Sequence, residues 1–312
     1  MLFNVMKNKL RFNIGGAFTK AEQLMMFFFK NKEVLETYDF TVFDGINNCS
    51  WNGGRVNRDI HWTDKVVDFY RRNNISIALT FTGAADYTNQ TIDLDDKVGN
   101  ELLEKFHTDS PHNYIISANT ELAKYVSKNF PNYKNTRSIT SFYPINVPMK
   151  DEDFDTYRNL ESVYDIIVPR MEHVHDEKFT DLNVPMYEVL INDTCVYNCP
   201  YYGEHFKVVA DQNSLYEKPW AEAGHDEMYK IEECWLSDKS TYLESSAFNP
   251  DVGHKGTIDK WGENYGMDLT LCQIEKLIKL GVYNFKMSGR EMNYEDFEGE
   301  LNSLLRLYEG IG

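Results

Sequence analysis

Short apolar runs alternate along the chain with segments whose apolar positions recur every three to four residues. The runs read as strands: Leu10–Gly16, Asp39–Ile46, Ile75–Thr82, Asn113–Ala118, Asn135–Tyr143, Val163–Arg170, Met186–Asp193 and Val282–Ser288. The helical segments carry their own start and stop signals. Thr19 with Glu22 reads as a capping box before a helical run through Phe29, and Asn119 can cap a helix with Leu122, Tyr125 and Val126 on one face. Thr270 with Gln273 caps Leu271–Leu280, which Gly281 ends. Further helices are predicted near Thr63–Asn73, Lys97–His107 and Glu152–Leu160. A last one aligns Phe297, Leu301, Leu304, Leu305 and Tyr308. Eight strands alternating with helices predict an α/β fold, a (β/α)8 TIM-like barrel. A doubly wound sheet is the second choice, since no G-x-G-x-x-G opens a helix.

Thr194–Leu269 breaks the rhythm. It is rich in Glu, Tyr, Gly and His and too long for a plain βα loop, with a helix expected from Tyr202 to Asn213. Residues 1–312 are therefore expected to form one barrel domain, with 194–269 as an insertion or lid after the seventh strand.

Charge narrows the partners. The 32 Lys and Arg against 49 Asp and Glu give a net charge of −17, which disfavours bulk binding to nucleic acid or anionic lipid. No apolar run approaches the roughly 20 residues needed to span a bilayer. Lys7, Lys9 and Arg11 are followed by no apolar signal-peptide core, so a cytoplasmic, acidic protein is expected.

In barrels of this kind chemistry sits at the carboxyl ends of the strands. Those ends carry Asp44, Asn48, Cys49 and Arg55 after the second strand and Arg170, Glu172, His173 and His175 after the sixth. Asn192 and Cys195 follow the seventh, and Ser288 and Arg290 the eighth. Glu172, His173, Arg170 and Arg290 are the candidate catalytic residues. Imidazole suits proton transfer near neutral pH, and the planar guanidinium suits carboxylate or phosphate. Asp44, Asn48, Arg55, Asn192 and Ser288 are the candidate substrate-binding residues.

The five cysteines are odd in number and sparse for a disulfide scaffold. Cys195 and Cys199, four apart in a post-strand loop, can aim two sulfurs at one metal. Cys234 and Cys272 lie downstream, and Cys272 would be the second residue of its helix, where the helix dipole favours a thiolate. Four sulfurs, or three plus His205, would complete a Zn or iron–sulfur site. Equally, Cys234 and Cys272 can be small core residues. Cys195-x3-Cys199-x2-Tyr202 approaches a radical-SAM loop, but Tyr202 stands where the third cysteine is needed.

Three stretches resemble the collagenase-like peptidase superfamily, with its ubiquinone-hydroxylation accessory and RNA-hydroxylation proteins. They are Asp39–Arg55, Tyr187–His205 and Asn284-Phe285-Lys286-Met287-Ser288-Gly289-Arg290-Glu291, with Ser288 where the superfamily motif has Glu. The resemblance implies a (β/α)8-like barrel and, in many members, a [4Fe-4S] cluster. It also implies hydroxylation of RNA or of a quinone precursor. Carried over residue by residue, Cys49, Cys195 and Cys199 are ligands, with Cys234 or Cys272 as the fourth.

The leading expectation is thus a metal- or iron–sulfur-dependent barrel enzyme acting on an anionic small molecule or a modified nucleoside or quinone-type substrate. A metal-free lyase or hydrolase is the alternative. A non-catalytic binding module is the third, with the Trp51 turn, Tyr201-Tyr202 and Tyr216–Trp220 as contacts for a protein partner.

Overall fold

The computed structural model describes residues 10–46, 49–52, 62–83, 91–141, 145–192, 269–288 and 294–311. Its strands are β1 (Arg11–Gly15), β2 (Asp39–Asp44), β3 (Ser76–Phe81), β4 (Tyr114–Ser117), β5 (Lys134–Arg137), β6 (Ile166–Ile167), β7 (Glu188–Asn192) and β8 (Asn284–Met287). The helices are α1 (Ala21–Lys30), α2 (Lys32–Thr37), α3 (Asp64–Arg72), α4 (Lys97–Phe106), α5 (Thr120–Asn129), α6 (Asp151–Leu160), α7 (Met171–Val174), α8 (Leu271–Leu280) and α9 (Tyr294–Ile311).

All pairings are parallel, in the order β6-β5-β4-β3-β2-β1-β8-β7. An isolated parallel bridge, Ile167 to Tyr187, brings the two ends of this sheet together. The result is a nearly closed eight-stranded α/β barrel of TIM-like form.

Alternation along each strand sorts the side chains into two apolar layers. Phe12, Ile14, Phe40, Val42 and Phe285 face the helices and join one large core. Phe43, Ala78 and Ile116, with Tyr114 against them, form a separate cluster inside the barrel. The last helix docks through aromatic rings: Tyr308 lies 4.7 Å from Phe12 and 4.8 Å from Tyr38, centroid to centroid. Such pairs add about 0.5–1.5 kcal/mol each beyond the area they bury.

Most helix ends fall where their capping residues place them. Asn119 accepts from the Glu121 and Leu122 N–H groups, Thr63 from Val66, and Thr270 with Gln273 forms a full capping box. Gly281 ends α8 at φ 109°, a left-handed conformation that glycine adopts without a Cβ penalty.

Three local expectations are corrected. Thr19 does not cap α1: its N–H and hydroxyl both go to the Asp44 carboxylate, and Lys20 becomes the cap position without a side-chain cap bond. A full negative charge is the stronger acceptor. The fifth strand stops at Arg137 instead of running to Tyr143. Ser138 folds its hydroxyl onto Thr140 and a 3-10 turn, Ile139–Ser141, follows. The sixth strand shrinks from Val163–Arg170 to two residues, because Val163 still closes the turn after α6 and Pro169 has no N–H to donate. In addition, α2 is a separate short helix that the hydrophobic pattern did not mark.

The 194–269 insertion, including the Tyr202–Asn213 helix, lies outside the described residues except at its end. There the buried Leu269 donates its N–H to Ile191 at 2.9 Å, returning the chain beside β7. Among the described residues no helix is long and apolar enough to cross a membrane.

Candidate functional site

The carboxyl ends of β6, β7 and β8 each carry an expected site residue. Past β6, Arg170 turns back on Glu172: Nε donates to Oε2 at 3.0 Å and Nη2 to Oε1 at 2.6 Å. Both side chains are almost wholly buried. A bidentate pair of this kind fixes the plane of both groups. His173 sits beside them with both ring nitrogens engaged. Nε2 lies 2.7 Å from the Asn146 carbonyl, which can only accept, so Nε2 carries the proton. Nδ1 then accepts from the Tyr157 hydroxyl at 2.9 Å, and that hydroxyl accepts in turn from the Arg170 N–H at 3.2 Å. Burial pushes the Tyr157 hydroxyl well above its usual range and keeps it a donor. The structure therefore gathers Arg170, Glu172 and His173 into one buried network, with Tyr157 as a fourth member that the sequence did not single out.

Across the barrel end, Asn192 and Ser288 also meet. Asn192 Oδ1 accepts from the Ser288 N–H at 2.7 Å, and its Nδ2 donates to the Ser288 carbonyl and to the buried Glu300 of α9, each at 3.2 Å. Asp44 stands apart. Its carboxylate takes the N–H groups of Phe18, Thr19 and Gly45 and the Thr19 hydroxyl, so it holds the loop after β1. Asn48, Arg55 and Arg290 lie outside the described residues.

Inside the barrel is a polar row that the sequence reading missed. Arg11 Nη2 pairs with Glu188 Oε2 at 2.8 Å, joining β1 to β7 across β8. Asn13 Nδ2 adds contacts to both Glu188 oxygens at 3.1 and 3.3 Å, and the Arg11 guanidinium lies 4.3 Å from the Tyr114 ring centroid. Nearer the carboxyl ends, the Lys286 ammonium sits 4.2 Å from the Phe43 centroid, and the residue is 7% exposed. The available signal was charged or amide residues in otherwise apolar strands: Arg11 and Asn13, Glu188, Lys286.

The cysteines separate. Cys49 is buried in the core beside Asp96; burial first, then that carboxylate, pushes its thiol up to about 12. Burial alone would raise Asp96 as well. Hydrogen bonds from Ser50, Gly99 and Cys49 instead hold it below the usual carboxylate range. The adjacent Trp51 packs inward: it is 1% exposed, edge-on to Phe81 and Tyr125, with its indole N–H on the Asp93 carbonyl, and the rest of its turn, residues 53–55, lies outside the described residues. Cys272, the second residue of α8, is an exposed free thiol. Cys195, Cys199, Cys234 and His205 lie outside the described residues, as do Tyr201-Tyr202 and Tyr216–Trp220. Among the described residues no group of three or more His, Cys, Asp or Glu converges to hold a metal. A cleft of about 260 Å³ between α7 and α8 is lined by His175, Lys276 and Leu280. There, burial first and the Lys276 charge second lower the His175 pKa.

No family model matches the chain, and no curated protein does. Among solved structures it is similar to that of the U32 peptidase Mk0906, at 9% identity and a TM-score of 0.49, covering 91% of this chain and 93% of that one. The likeness is distant and transfers no residue role; the barrel rests on its own strand order and register.

Proposed function

We propose that the chain is a barrel enzyme that binds an anionic small molecule at the carboxyl ends of its strands. The observation that carries this reading is Lys286, an ammonium buried inside the barrel on an aromatic face, one inward position below Ser288. An ammonium held at this depth, in line with the end of its strand, gives the mouth of the barrel a positive potential that favours an anion. Arg170, Glu172 and His173 act on this reading as a positioning network. Their hydrogen bonds to one another, to Tyr157 and to the Asn146 carbonyl fix the loop after β6. Asn192 does the same for the ends of β7 and β8. Arg55, Asn48 and Arg290 are proposed as further contacts to the anion.

A second reading, a metal or iron–sulfur enzyme, is favoured by the Cys195-x3-Cys199 spacing. The described cysteines do not fit a shared centre, since Cys49 is sealed in the core and Cys272 is exposed on α8. A [4Fe-4S] cluster or Zn would rest on Cys195, Cys199, Cys234 and His205. Iron, zinc and acid-labile sulfide content of anaerobically purified protein decides it: four irons and four sulfides support the cluster, and one zinc supports a Zn site. Neither metal removes the second reading.

The first reading is tested by thermal shift with a panel of small carboxylates and phosphates, on wild type and on Lys286→Met. A ligand at about 100 times its Kd stabilises the fold by about 2.7 kcal/mol. The expected result is a member that raises the wild-type Tm by several degrees and leaves folded Lys286→Met unmoved. Equal shifts in both proteins, or none in either, overturn the reading.

A further inference from the structure

Asn13 is opposite Lys286 on β8 and opposite Thr41 on β2, so the three form one row across three neighbouring strands. The Asn13 amide cannot be flipped at will: its Nδ2 faces both oxygens of Glu188, which only accept, so Oδ1 must point away from them. That Oδ1 is buried with no hydrogen-bond partner, and so is the hydroxyl of Thr41 beside it. Asn13 is 2% and Thr41 0% exposed. Thr80, which alternation places on the same inner face above Ala78, has a third such hydroxyl. Buried polar groups of native proteins are nearly always hydrogen-bonded, and two orphans on adjacent strands facing one space indicate a shared partner.

We propose that the interior of the barrel beside Lys286 is a binding subsite for an O–H group. That group donates to Asn13 Oδ1 and is itself available to the Thr41 hydroxyl. An ordered water supplies this chemistry, and so does the hydroxyl of an anionic ligand whose charge Lys286 takes; only the second source rests on the function proposed above. The subsite needs a partner that donates to Asn13 Oδ1, which excludes a methyl group or a bare carboxylate.

High-resolution crystals grown without added ligand distinguish the sources. A solvent-sized density peak within hydrogen-bond reach of Asn13 Oδ1 and Thr41 Oγ1 assigns the group to water. A larger continuous peak assigns it to a bound molecule, identified by native mass spectrometry of the same preparation. Either supports the subsite, the first even where no anion binds, and empty density overturns it. In solution, Thr41→Val keeps the side-chain shape and removes the hydroxyl. With the subsite occupied, it should lower Tm by about 1–2 °C, the loss of one buried hydrogen bond in a domain of this size. In a dry apolar space the extra methyl is tolerated, so an unchanged or higher Tm overturns the proposal.

Discussion

Two buried arginine–glutamate pairs stand at different levels of this barrel and do different work. Arg11–Glu188 spans 177 residues and ties β1 to β7 over the intervening β8. Arg170–Glu172 spans two residues and is bidentate within the loop after β6. The first clamps β1 to β7 over β8; the second holds one short loop at the end where barrels do chemistry. Charge pairs of equal burial thus differ in what their loss would cost, because the long-range pair also orients Asn13 and Tyr114. Buried pairs can be no better than apolar substitutes, yet removing one partner strands a charge.

The comparison breaks most directly at the glutamates. Glu188→Ala should cost about 3–5 kcal/mol in equilibrium denaturant unfolding, since it leaves the Arg11 cation and the Asn13 amide without their acceptor. Glu172→Ala should cost less than Glu188→Ala and change the local environment of Tyr157 and His173, read by NMR of the His173 ring. A larger loss for Glu172→Ala than for Glu188→Ala would reverse the assignment of roles.

A smaller effect sharpens the view of the strand-end loops as packed scaffolding. A Cβ on Gly99 would lie 2.4 Å from Cε3 of the buried Trp51. Gly99→Ala should therefore destabilise by about 1–3 kcal/mol and shift the Trp51 fluorescence. Wild-type stability and emission would show that the turn is loosely held.

The smallest concerns Asp96, which caps α4 through Gly99 and anchors Ser50. Asp96→Ala should cost about 1 kcal/mol near neutral pH. The folded-state pKa of Asp96 is lowered, so its contribution is present above the unfolded value near 3.9 and fades as pH falls through the lower folded value. The difference between wild type and variant in a pH series of denaturant melts should narrow below about pH 4. A constant difference would assign Asp96 no charge-dependent role.

Much of the fold was legible locally. Eight apolar runs became eight strands, and Asn119, Thr63, Thr270 and Gly281 marked helix ends because capping depends on a few neighbouring residues. The site was legible only in outline. The cluster after β6 could be found from strand-end position, but its partners Tyr157 and Asn146 come from other segments. The inner row of Arg11, Asn13, Glu188 and Lys286 escaped because each residue, taken alone, reads as an ordinary polar interruption of a strand.

Period and capping in the sequence determined the order of strands and helices, since both are set by contacts within a few residues. Only the tertiary structure decided that Thr19 serves Asp44 instead of its own helix, that β6 closes the ring through a single bridge, and that Arg11 meets Glu188. Those outcomes depend on which strands become neighbours and on which buried charge finds which partner. Both are set by parallel register and barrel closure, which bring together residues that no local pattern links.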